Sequence, residues 1–195
     1  MRVIARGYDT DATLTMLHGK DLKNAGADFV ARYLNNLSHT EAHGLLAAGL
    51  KLVSVYETNP TSAAYFVKGK GIDDAKNAIN LAKAIGQPTH SAVYLPADFD
   101  VQCADIPAVV NYFREAQETL GPAGYYTGCY AKYDVLVALH KAGVGGYYWE
   151  PASWSNGRID SLACMYQARY GLNVCGIPVD LDECYSEPGW WATIA

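Results

Sequence analysis

Eight short runs rich in Val, Ile, Tyr and Phe recur along the chain, and several of the spacers between them read as amphipathic helices. The runs are VIARGYD (3–9), FVARYLN (29–35), KLVSVYE (51–57), SAVYLPADFD (91–100), YYTGCYA (125–131), GGYYWEP (145–151), CMYQARY (164–170) and IPVDLDE (177–183). Helices are predicted at 38–49, where Ser38 and Glu41 form a capping-box pattern before Gly49, and at 72–86, closing on Gly86. Two more are predicted at 106–121, with a proline in the first turn, and at 132–143, ending on Gly143. The Ser155-Asn156-Gly157 segment reads as a turn.

Alternation of strand and helix predicts a parallel sheet, and eight strands predict its closure. The expected fold class is therefore α/β, a single small TIM-type (β/α)8 barrel spanning 1–195, with some helices short or missing. A doubly wound sheet is disfavoured because no GxGxxG follows the first run.

In such a barrel, active sites lie where the parallel strands end. Acids occupy those ends: Asp9 after run one, Glu57 after run three, Asp98 and Asp100 after run four, with Asp180 and Asp182 in run eight. Parity supports convergence. Val93, Leu95, Ala97 and Phe99 alternate with Tyr94, Asp98 and Asp100, and Val179 and Leu181 alternate with Asp180 and Asp182. Clustered carboxyls repel one another, so some hold protons while others stay ionised, the division of labour that glycoside cleavage needs. Tyr130, Tyr148, Trp149 and Trp154 add flat apolar faces suited to sugars, although such residues also fill cores.

Other chemistries are disfavoured. A formal net charge of −5 without any Lys/Arg block argues against nucleic acid and against anionic membrane surfaces. No apolar run is long enough to span a bilayer, and the N-terminus lacks a signal-peptide core. His39 and His43 stand one helical turn apart but within H-T-E-A-H rather than HExxH, and no D-x-D-x-D-G loop is present. No metal and no cofactor are expected, so any hydrolysis should withstand EDTA. The five cysteines are odd in number and lack CxxC spacing, and buried free thiols are expected.

The stretches GYDTDAT, LLAAGLKLVSVYE, YLPADFD, YWEPASWSNGR and GIPVDLDE together resemble the glycoside-hydrolase-like domain of unknown function 1906, a barrel family distantly similar to the family 25 lysozymes. The resemblance runs from Arg6 to about Trp190. It implies a peptidoglycan-directed hydrolase, lysin-like, acting on the cell wall as a monomer. It also implies catalytic roles for Asp9, Asp98 and Asp100 and for a late aspartate, which matches Asp182 or Asp180. Asp100 stands where the lysozymes carry a glutamate, which makes it the expected proton donor beside an ionised Asp98. Glu57, Tyr130, Trp149, Gln167 and Asp180 are the expected substrate-binding residues. The alternative is a barrel that binds a cell-wall or cell-surface glycan without turning it over.

Overall fold

A computed structural model describes all residues, Met1–Ala195. Eight strands close into a barrel in sequence order. They are β1 (Ala5–Thr10), β2 (Phe29–Tyr33), β3 (Lys51–Val55), β4 (Ala92–Pro96), β5 (Tyr126–Tyr130), β6 (Tyr147–Pro151), β7 (Met165–Val174) and β8 (Ile177–Cys184). Five helices pack outside: α1 (Met16–Asn24), α2 (His39–Ala47), α3 (Lys70–Ala84), α4 (Ile106–Leu120) and α5 (Tyr133–Ala142). No helix joins β6 to β7 or β7 to β8, which accounts for the short chain.

Strands β1 to β7 run parallel, whereas β8 is antiparallel to both β7 and β1. The reversal comes from a two-residue hairpin turn at Cys175 and Gly176, with φ of 54° and 84°. Positive φ at both central residues gives the turn whose twist matches paired strands. Because β8 is reversed, Asp180 lies beside Asp9, and Asp182 lies opposite Gly7 on one side and Gln167 on the other.

The main core lies between strands and helices, where Val30, Leu52, Val93, Leu95, Val179 and their helical partners are buried. A smaller core fills the barrel with Phe29, Val53, Tyr94, Trp149 and Met165. Its rings fit only because glycine faces them. A Cβ on Gly7 would sit 2.4 Å from the Phe29 carbonyl oxygen, and one on Gly128 would sit 2.5 Å from the Tyr94 ring.

Helix α1 is absent from the sequence reading. Its cap pairs Thr15 with His18 instead of an acidic partner, and its apolar face buries only Gly19 and Leu22. Helix α2 starts on Ser38 as expected, but the Glu41 side chain does not close the box. It reaches Arg32 at 2.9 Å and accepts the Leu14 N–H at 3.0 Å. Arg32, fully buried, also donates to the Thr10 carbonyl. This ion pair ties β2, α2 and the end of β1 together. All five cysteines are free; Cys129, Cys164 and Cys184 are buried, while Cys103 and Cys175 are exposed, against the expectation that the thiols lie inside.

Candidate active site

The strands end in a cleft made of two adjoining cavities, of about 490 and 250 Å3, which share Asp9, Tyr33, Glu57 and Asp180. Asp11, Asn35, Asn36 and Thr58 extend the larger one. Asp98, Gln167, Tyr130, Trp149, Trp154 and Tyr170 shape the smaller one. No Lys, Arg or His lines either cavity.

One group of acids is held rigidly. Gln167 donates through Nε2 to Asp9 at 2.8 Å and to Asp180 at 3.3 Å, while its Oε1 accepts from the Tyr130 hydroxyl at 2.7 Å. Asp180 also accepts the Gly171 N–H at 2.7 Å. Burial, with the charge of Asp180, pushes the Asp9 carboxyl up to about 6, against the lowering effect of the Gln167 bond. Asp182 lies deeper, with no exposed surface, and accepts from the Trp149 indole at 3.1 Å. Burial first, and then the charge of Asp9, hold the Asp182 carboxyl well above the carboxylate range.

Two other acids are unbonded. Glu57 follows Val53 and Val55 on the inward face of β3, and its carboxyl makes no hydrogen bond within the protein. Burial, then the charges of Asp98 and Asp9, push it up to about 7. Asp98 follows Tyr94 and Pro96 into the cleft, and its backbone N–H is fixed on the Pro60 carbonyl at 3.1 Å. Burial raises its pKa.

Asp100 is placed elsewhere. Strand β4 stops at Pro96, and the Val101 N–H folds back onto the Phe99 carbonyl at 2.8 Å, so the alternation that carries Asp98 inward ends before Asp100. Asp100 lines neither cavity, and its side chain is 54% exposed and paired with Lys132 at 2.6 Å. The Lys132 hydrogen bond lowers its pKa, the opposite of what a proton donor at neutral pH requires.

Trp149 and Tyr130 form part of the smaller cavity's wall, packed edge to face at 5.1 Å and largely buried. The sequence reading did not select Tyr33, Asp11 or Tyr170 for the cleft. Tyr33 was legible, since it continues the inward set Phe29 and Ala31. Tyr170 was not, because register shifts between Gln167 and Arg169, and again before Leu172, break the parity of β7.

Comparison with known proteins bears on the same architecture. Residues 20–176 match the family described as Rv2525c-like, glycoside hydrolase-like domain. A Bacillus subtilis protein, YbfG, of unassigned function, is 28% identical over 163 residues, 73% of this chain; the chain spans only 22% of that relative's length. Rv2525c of Mycobacterium tuberculosis, named as a candidate peptidoglycan hydrolase, is 25% identical over 93% of this chain and 82% of its own. The crystal structure of that Tat-secreted protein superposes with a TM-score of 0.85 at 24% identity, covering 97% of this chain and 100% of the other. A family 25 glycosyl hydrolase from Bacillus anthracis gives a TM-score of 0.61 at 12% identity over 95% and 91% of the two chains, a likeness of fold.

Proposed function

The chain belongs to the Rv2525c-like, glycoside hydrolase-like domain family, and from that membership we propose that it cleaves a glycosidic bond in a bacterial cell-wall glycan of the peptidoglycan type. The observation that carries this reading is Glu57: an unbonded carboxyl in an acidic cleft, pushed up to about 7 beside two other acids. A carboxyl tuned near the working pH is suited to deliver a proton and be refilled.

In this reading Glu57 gives its proton to the departing glycosidic oxygen as the bond to the anomeric carbon breaks. Asp98, pushed up by burial alone, is the carboxylate that supports the cationic sugar and takes a proton from the water that completes hydrolysis. Asp9, fixed by Gln167, keeps negative charge beside the reacting ring. Asp180 aligns the same amide. Asp100 has no part in the step, and the donor role expected for it from sequence passes to Glu57. Action on the cell wall accords with the secreted relative, and no helix of this chain is long and apolar enough to cross a membrane.

The test is the pH profile of kcat/KM for reducing-sugar release from soluble, sonicated peptidoglycan. Activity should rise as Asp9 ionises through about 6 and fall as Glu57 loses its proton through about 7, leaving a narrow optimum between them. A rate that is flat from about pH 5 to 9 counts against Glu57 as the acid. Binding of the polymer with no product at any pH supports the binding-only alternative.

A further inference from the structure

The smaller cavity is lined by four acids, Asp9, Glu57, Asp98 and Asp180, and by the rings of Tyr33, Tyr130, Trp149, Trp154 and Tyr170. Of the two indoles in this lining, Trp149 is committed. It is 3% exposed, bonded to Asp182, and edge-on to Tyr94 and Tyr130. Trp154 is half-buried, its indole N–H has no partner within the protein, and no other ring packs against it.

Its backbone is unusual. Trp154 has φ of +62°, the left-handed region that bulky residues seldom occupy. The chain on both sides is fixed. The Ala152 N–H bonds the Gln167 carbonyl at 3.0 Å, and the Ser153 N–H bonds the Tyr170 hydroxyl at 2.9 Å. Ser155 is fully buried, and its hydroxyl accepts the Tyr133 N–H at 3.2 Å. The loop is over-determined around Trp154, whose left-handed backbone is followed by a second at Asn156 (φ 53°), where asparagine tolerates it better, and the result is a tryptophan ring in the cleft wall.

We propose that Trp154 is the sugar platform of the cleft, stacking on the apolar C–H face of a pyranose whose polar edge meets Glu57 and Asp98. This rests on the glycan reading above and adds the residue that decides which ring face is presented. A pyranose is apolar on its faces and polar at its rim, so a cavity lined by both aromatic rings and carboxyls matches it. Glycine is the informative replacement, since it removes the ring and accepts the left-handed backbone without strain.

The experiment compares the parent, Trp154→Gly and Trp154→Tyr by thermal melting, by steady-state cleavage of sonicated peptidoglycan and by titration with chitotetraose. Trp154→Gly should melt at or above the parent Tm, because strain is relieved, while KM and the chitotetraose Kd rise about 10-fold or more. Trp154→Tyr should recover much of the affinity. A Trp154→Gly variant with unchanged KM and Kd overturns the platform and leaves Glu57 untouched. A fall in its Tm of several degrees also overturns the proposal, since the ring would then be a packing element of the loop. If the parent binds but cleaves nothing, the Glu57 mechanism fails and the platform is read from Kd alone. A parent that binds neither probe overturns both.

Discussion

Glu57→Gln is expected to lower reducing-sugar release by about 100-fold or more, the scale of lost proton transfer, and to raise thermal stability at alkaline pH. The two effects share one cause. The folded protein holds Glu57 at about 7 against an ordinary 4.5, so the native state binds a proton more tightly than the unfolded chain does. Such a group contributes stability that is complete below pH 4.5 and is lost as pH rises through about 7. Glutamine cannot ionise and escapes the loss. Glu57 is only half-buried, so solvent screening trims the gain to the order of 1 kcal/mol, roughly 2–4 °C in Tm at pH 8.5 and nothing at pH 4. Asp100→Asn is the control. Lying outside the cleft, it should keep turnover within about 2-fold. Equal losses in the two variants, with no pH-dependent gain in Tm for Glu57→Gln, would return the donor role to Asp100.

The second large effect concerns the ion pair behind the cleft. Arg32→Met should cost about 3–5 kcal/mol, because Glu41 would be left buried and uncompensated, and Tm should fall by about 10 °C. The Arg32 side chain has no exposed surface and that of Glu41 is 3% exposed, which puts the pair well apart from surface salt bridges. The Arg32→Met/Glu41→Met double variant should recover much of the loss, since an apolar pair of similar volume is often no worse than a buried ion pair. Activity of Arg32→Met below its Tm should fall as well, because Arg32 also holds the Thr10 carbonyl next to Asp9. A single variant that melts within about 2 °C of the parent would show that the pair contributes little net stability.

What could be read from sequence was whatever depends on local periodicity. Strand positions, the place of Asp9 at a strand end, the shared parity of Asp180 and Asp182, and four of the five helices follow from alternation and from glycine stops. Helix α1 escaped because MLHGKDLKN lacks an apolar stripe and its cap uses histidine. Asp100 was carried inward by extending the β4 alternation past Pro96, where the strand has ended. The reversal of β8 was hidden in a Cys-Gly turn that lacks the usual Asn or Asp. Glu57 was visible as a strand-end acid. Its tuning was not, since that depends on burial and on acids brought from β1 and β4, far away along the chain.

The antiparallel closure by β8 also governs when a newly made chain completes its acidic cleft. Asp9 is held by a residue 158 positions later, and its neighbours Asp180 and Asp182 follow later still. Until those residues leave the ribosome, Asp9 has none of these partners. The growing chain meanwhile carries two unpaired strand edges, β1 and β7, both templates for aggregation. Translational arrest between β7 and β8 would therefore yield a species whose acidic cleft is unfinished and that is prone to self-associate, and docking of the eight-residue strand β8 removes both conditions in one event.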